Sequence, residues 1–370
     1  MGALRVVVAP NAFKGTLDAS RAARAIARGV IAAVPSADCR LLPIADGGDG
    51  TVEAHLALGY RELEVEVRDS SGRWHTAPIA IRDGHAVVEV ASSCGLALAS
   101  ADDLHPLDAT TLGLGDAVLA ALEAGARRVS LALGGSASTD GGSGLLVALG
   151  ARLLDASGSA LPPGGGTLSA VVALDLDDLD PRLADCEFDV LADVTSPLHG
   201  PSGAACVFAP QKGATPAEVD LLDRGLRAWA DALRSATGHD AAAQPGAGAA
   251  GGVGAAAFAV LGARLTSGSA AVAEALGLDA ALADADLVIT GEGRLDAQTL
   301  AGKGCGHVID LAARHAVPVF VLCGTVDLTD EELAMLGTTG VQQMGPPGPD
   351  PAAALEQAAR AAVARSLATG

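Results

Sequence analysis

The strongest constraint in this 370-residue chain is a recurring pair of features. A short apolar run ends in a polar, Gly-bearing turn, and an amphipathic stretch follows. Leu4–Ala9 reads as a strand and Asp18–Val34 as a helix. Arg40–Ile44 is a strand that leads through a Gly-rich turn into a helix from Thr51. Arg128–Leu133 is followed by a Gly/Ser turn and a helix near Gly144–Gly150. Phe188–Ala192 and Leu287–Thr290 also run into polar turns, Pro318–Leu322 is a further strand, and Ala352–Ala368 closes as a helix. Strands and helices in this alternation bury their apolar faces as a largely parallel sheet covered by helices, an α/β fold. Ligands of such open sheets sit outside the carboxyl ends of the strands, so function is expected in the turns.

Two segments depart from the pattern. Glu62–Arg68, His75–Ile81 and Ala86–Val90 read as short strands joined at Ser71-Gly72 and Asp83-Gly84, an antiparallel meander that predicts a smaller inserted domain. Thr215-Pro216-Ala217-Glu218 combines an N-cap, a first-turn proline and a capping-box glutamate, and its helix is expected to reach Ser235. The Gly/Ala-rich stretch Thr237–Gly252 reads as a flexible loop. The chain is long enough for two cores.

Composition narrows the partners. A formal net charge of −20 repels nucleic acid and anionic membranes, and an aromatic content of 2% leaves little for base stacking. Six cysteines form no CxxC and no zinc-like spacing, which predicts reduced thiols and a cytoplasmic location. The N-terminus lacks a signal-peptide pattern, and Ala247–Ala263 is too rich in Gly and Ala for a membrane span. An anionic ligand therefore needs locally concentrated cations.

Those cations are distinctive. The 24 basic residues include only three lysines, Lys14, Lys212 and Lys303, and each precedes a glycine. Lysine is a compact, mobile point charge suited to following a phosphoryl group. Acidic turns complement them: Asp46 and Asp49 within Ile44–Gly50, Asp193 after a strand, and Glu292 and Asp296 within Gly291–Asp296. Such carboxylates suit Mg²⁺, which takes one or two of them together with phosphate oxygens. Gly134–Gly142 places hydroxyls and amides ahead of a helix, an anion-binding arrangement.

Other motifs fail or stay weak. A Walker A loop needs Gly where Ala297 stands, and a GxSxG elbow needs Gly at Ser138. Gly246, Gly248 and Gly251 satisfy GxGxxG without a preceding strand. A dinucleotide-dependent oxidoreductase therefore stays open as a competing reading, as does a non-enzymatic binder of a small acid.

Seven ordered segments together resemble the glycerate kinase type 1 family over nearly the whole chain. They are APNAFKGTL (9–17), PIADGGDGT (43–51), LGGSASTDGGSG (133–144), DVTSPLHGPSGA (193–204), FAPQKGATP (208–216), PGAGAAGGVGAA (245–256) and ADLVITGEGRLDAQTLAGK (285–303). Asn11, Thr139, Ser196 and Cys305 stand where the family commonly has Asp, Asn, Asn and Pro. The resemblance implies transfer of the ATP γ-phosphoryl group to D-glycerate with Mg²⁺, giving 2-phosphoglycerate; a related small hydroxy acid is the alternative acceptor. A homo-oligomer is compatible with it.

The resemblance also implies a flavodoxin-like domain, placed at 1–65, 110–190 and 280–370, with a smaller domain at 66–109 and 191–279 and the site in the cleft between them. Phosphates are expected at Gly134, Gly135, Ser136, Ala137, Ser138, Thr139 and Lys212. Lys14 and Lys303 neutralise developing charge, and Asp193 takes the hydroxyl proton, with Asp46 or Asp296 as the less favoured choice. Arg294 meets the carboxylate. Asn11, Phe13, Asp46, Gly47 and Asp296 contact the acceptor, and Asp46, Asp140 and Glu292 are the metal candidates.

Overall fold

A computed structural model describes residues 3–13, 15–100, 104–344 and 350–369. The chain divides into one compact unit formed by residues 1–46 with 269–370 and a second formed by 47–268, the longer stretch. Segments 47–65 and 110–190, expected with the terminal segments, lie in the second unit.

The first unit is built on five parallel strands. Their spatial order is Gly340–Gln343, Val319–Val326, Leu287–Leu295, Arg5–Val8 and Asp38–Leu41. Counted along the chain this is the flavodoxin-like order 2-1-3-4-5, whose switch point lies between the strands Arg5–Val8 and Leu287–Leu295. The helix Ala19–Ala33 begins where the Asp18 carboxylate accepts the Arg21 amide at 2.6 Å. It buries Ala22, Ala23, Ile26 and Val30 along one face, as i, i+4 spacing requires. That face shares a core with Leu355, Ala359 and Val363 of the helix Pro351–Thr369.

One strand corrects the sequence reading. The segment Gly291–Leu295, read as a turn, continues the strand: Gly291 pairs with Leu322, Glu292 with Cys323 and Arg294 with Thr325. Two glycines and two charged residues disguise it, because the partner strand that satisfies its amides is local only in space.

The second unit carries a six-stranded sheet in the order Arg264–Thr266, Glu187–Leu191, Arg128–Ala132, His85–Glu89, Trp74–Arg82, Arg61–Arg68. The expected meander is present and antiparallel, but its last strand, His85–Glu89, pairs in parallel with Arg128–Ala132. The meander is thus one wing of a larger sheet. A small antiparallel sheet of Ala160–Leu161, Arg152–Leu154 and Ala173–Asp175, absent from the sequence reading, lies in the same unit.

The helix Pro216–Thr237 starts at the predicted capping box, with Thr215 and Glu218 bonding reciprocally. Its Trp229 is fully buried and donates to the Gly141 carbonyl at 2.8 Å, tying the helix to the Gly/Ser loop. The segment 246–259, expected in part as a flexible loop, is instead largely buried. Ala247, Ala249 and Val253 belong to the core, and a Cβ on Gly251 would lie 2.2 Å from the Ser138 carbonyl oxygen. Small residues here permit close packing of backbones rather than motion.

Among the described residues no helix is long and apolar enough to cross a membrane.

Candidate active site

In the first unit a cavity of about 380 Å³ opens beside Asn11, Asp46, Glu292, Arg294, Asp296 and Lys303. Asn11 follows the strand Arg5–Val8, and its amide donates to the Gly291 carbonyl at 2.8 Å. The cavity therefore lies at the switch point, where the strand order reverses. A Cβ on Gly304 would sit 2.8 Å from Asn11 Nδ2 and 3.6 Å from Glu292 Oε2, so these groups converge on one glycine. Glu292 also accepts the Thr299 hydroxyl at 2.7 Å. Burial, with Glu292 close by, holds the Cys305 thiol well above its usual range. This cysteine is a fully buried neighbour of the Thr290 hydroxyl.

Arg294 is largely exposed and pairs with Asp327, with Asp296 3.8 Å from its Nε. Asp296 is also the N-cap of the short helix Ala297–Leu300, accepting the Gln298 amide at 2.8 Å. Phe13, expected to touch the acceptor, is 3% exposed and packs in the sheet core instead. Its apolar ring gains more there than in a polar cavity. Lys14 lies outside the described residues.

In the second unit the loop after the strand Arg128–Ala132 meets the Gly47–Gly48 backbone. The Gly134 amide donates to the Gly47 carbonyl at 3.0 Å, and a Cβ on Gly134 would lie 2.4 Å from Gly48 Cα. The Ala137 amide donates to Cys94 and the Gly135 carbonyl accepts from Leu96. Gly134 and Ala137 therefore have no free amide for phosphate, a correction to the expected cradle. Gly47 serves backbone approach, since its Cβ would lie 2.7 Å from the Leu191 carbonyl oxygen.

The remaining donors gather around Lys212. This side chain is 3% exposed, and its ammonium donates to Ser136 Oγ at 2.8 Å and to the Ser138 carbonyl at 2.5 Å. Burial pushes its pKa down to about 8. The hydroxyls of Ser138 and Thr139 are buried without a hydrogen-bond partner among the described residues. Buried polar groups are seldom left so, and these mark a place built for more than packing.

Asp140 behaves otherwise. Its fully buried carboxylate accepts from the Thr111 amide and hydroxyl at 2.8 Å each, from Gly144 at 3.0 Å and from Gly142 at 3.1 Å. Burial nevertheless raises its pKa above the ordinary carboxylate value. These bonds occupy both oxygens, so Asp140 organises the loop and is not available as a metal ligand. Asp193, just past the strand Glu187–Leu191, accepts the Ser267 hydroxyl at 2.7 Å. The glycines Gly246, Gly248 and Gly251 follow no strand, and a Cβ on Gly248 would lie 2.4 Å from the Pro197 carbonyl oxygen. They are packing glycines rather than a dinucleotide turn.

The family model for the glycerate kinase family matches residues 6–368. The chain belongs to the glycerate kinase family. It is 44% identical to a glycerate kinase of Bacillus subtilis (strain 168) over 326 residues, 87% of this chain and 85% of that protein. It is 43% identical to a glycerate 2-kinase of Escherichia coli (strain K12), over 89% of this chain and 86% of that one. A solved structure assigned to glycerate kinase 2 from Salmonella typhimurium LT2 superposes with a TM-score of 0.84 at 38% identity, covering 100% of this chain and 99% of that one. Of the expected metal candidates, Asp46 and Glu292 line the cavity that also holds Arg294, Asp296 and Lys303. Among the described residues no group of three or more acidic, His or Cys side chains could hold a metal.

Proposed function

We propose that the chain transfers the γ-phosphoryl group of ATP to the 2-hydroxyl of D-glycerate, giving 2-phosphoglycerate and ADP. The carrying observation is the switch-point cavity, where Asn11, Asp46, Glu292, Arg294 and Lys303 meet in a family of glycerate kinases. Arg294 offers a planar fork to the glycerate carboxylate. Lys303 and Lys14 offset charge on the transferring group. The bond from the γ-phosphorus to its bridging oxygen breaks as the 2-oxygen bonds to phosphorus, and the hydroxyl proton passes to the Asp193 carboxylate. Asp46 or Asp296 is the alternative acceptor. Asp46 and Glu292 would hold Mg²⁺, which neutralises phosphate charge when bound. Lys212 and the loop 134–139 would hold the donor's phosphates through their side chains and remaining amides.

Phosphoryl transfer depends on positioning and charge stabilisation more than covalent chemistry, which these groups suit. All six cysteines are free thiols, in keeping with a cytoplasmic enzyme. The test is ATP consumption with glycerate, hydroxypyruvate, tartronate and lactate, with phosphorus NMR of the product. We expect glycerate to be preferred and its 2-oxygen phosphorylated; no glycerate-dependent ADP formation overturns the reading.

A further inference from the structure

The second unit contains a cavity of about 210 Å³ whose lining includes Lys212, Ala137, Leu104, Ala109, His105 and Asp108. Lys212 connects it to the Gly/Ser loop, since the same ammonium binds Ser136 and Ser138. An ammonium has three N–H donors, and those two acceptors take two of them. Both acceptors are uncharged, and no carboxylate lies in ion-pair contact with Lys212 among the described residues; Asp140 acts on it only through space. A buried charge in this state favours an arriving anion.

The walls and rim restrict what that anion carries. Leu104, Ala109 and Ala137 are apolar, and Leu104 is backed by the Gly213 backbone, whose Cβ position lies 3.1 Å from Leu104 Cβ. His105 and Asp108 are exposed at the rim. The volume falls below the roughly 300–1,000 Å³ of pockets that enclose a whole drug-sized ligand, so only part of a larger molecule fits. Ser70 and Ser71 also line the cavity; its apolar side chains suit one face of a flat ring, and the Asp108 carboxylate suits a donor on the ring's edge. Adenine carries an amine donor at position 6, where guanine carries an oxygen acceptor that a carboxylate repels.

We propose that this cavity takes the adenosine part of the phosphoryl donor, with Lys212 at the phosphate end and Asp108 at the amine end. The proposal deepens the kinase reading and rests on it for the identity of the donor.

The test compares wild type with Leu104→Trp and Asp108→Asn. It reads KM for ATP and GTP at saturating glycerate, KM for glycerate, and calorimetric affinity for ADP, which needs no turnover. Filling the cavity in Leu104→Trp is expected to weaken ADP binding and raise KM for ATP roughly tenfold or more, a loss of about 1.4 kcal/mol, with KM for glycerate unchanged. Asp108→Asn is expected to narrow the preference for ATP over GTP several-fold. Turnover with unaltered ADP affinity in Leu104→Trp overturns the cavity assignment and leaves the kinase reading intact. ADP binding lost in that variant, in an enzyme that never phosphorylates glycerate, supports the cavity while removing the kinase reading. If Leu104→Trp fails to fold, Asp108→Asn decides, because its side chain is exposed; an unchanged ATP-to-GTP ratio overturns the proposal.

Discussion

The ammonium of Lys212 donates a 2.8 Å hydrogen bond to the hydroxyl of Ser136, a residue 76 positions earlier in the chain. This bond joins the turn Pro210–Lys212 to the Gly/Ser loop and holds a positive charge below the surface. Both residues belong to the set that sequence reading picked for phosphate binding, and the fold brings them into contact.

A pH dependence follows from that burial. Lys212 is pushed down to about 8, so it is charged below that pH and neutral above it. Its attraction for a phosphate is complete well below about 8 and is lost as the pH rises through that value. A bound anion raises the pKa of the ammonium, so the loss belongs to the free enzyme. We expect kcat/KM for ATP to fall above pH 8 in wild type, while Lys212→Met gives a low, flat profile. Hydrogen bonds to charged groups contribute about 1.5–3 kcal/mol, which places Lys212→Met roughly 10- to 150-fold below wild type at pH 7. An unchanged pH profile in the variant would remove Lys212 from the donor site.

Glu89 gives a second pH effect, on stability. Its carboxylate accepts the Val52 amide at 2.5 Å, yet burial pushes its pKa up to about 8 from an ordinary 4.5. Between those values the folded chain binds a proton that the unfolded chain has released. Stability is therefore highest below about pH 4.5 for this group and declines as pH rises towards 8. Glu89→Gln keeps an acceptor for Val52 and cannot ionise. Melting temperatures measured from pH 5 to pH 8 should fall less steeply in Glu89→Gln than in wild type, and parallel slopes would contradict the assignment.

For Asp140 the expected effect of mutation is on folding, not on metal affinity. Asp140→Ala leaves the Thr111, Gly142 and Gly144 amides without their buried acceptor. Each orphaned donor costs about 1–3 kcal/mol. Denaturant unfolding should show a loss of at least about 3 kcal/mol, with the magnesium dependence of the remaining activity unaltered. A shifted magnesium requirement with normal stability would return Asp140 to the metal.

Much of this was legible in the sequence, and the misreadings have physical causes. The capping box at Thr215 and the parallel strands depend on nearby residues, so local pattern sufficed. Asp140 reads as a ligand because acids beside glycines suit metals, whereas its main partner Thr111 lies 29 residues upstream. Phe13 sits in a motif otherwise full of polar groups, and only the surrounding core shows that its ring is buried. The glycines at 246, 248 and 251 have the same composition whether a segment moves or packs backbone on backbone. In the switch-point cavity, Asp46, Glu292, Arg294 and Lys303 stand out in the sequence from Gly-bearing turns and Asn11 from the family resemblance, and parallel strand ends gather them.

The sharpest prediction for the acceptor concerns Arg294. Its guanidinium is held by Asp327, whose amide is anchored to the Leu295 carbonyl at 2.8 Å across neighbouring strands. That pair engages one edge of the fork and leaves other N–H groups for a carboxylate. Lysine keeps the charge but loses the fork. Arg294→Lys should therefore raise KM for glycerate roughly tenfold or more, equivalent to about 1.5–3 kcal/mol, while KM for ATP stays near wild type. Because the carboxylate is bound alike in ground and transition states, kcat should change less than KM. Steady-state kinetics with glycerate varied at saturating ATP distinguish the cases: a fall in kcat at constant KM would instead place Arg294 on the transferring phosphoryl group.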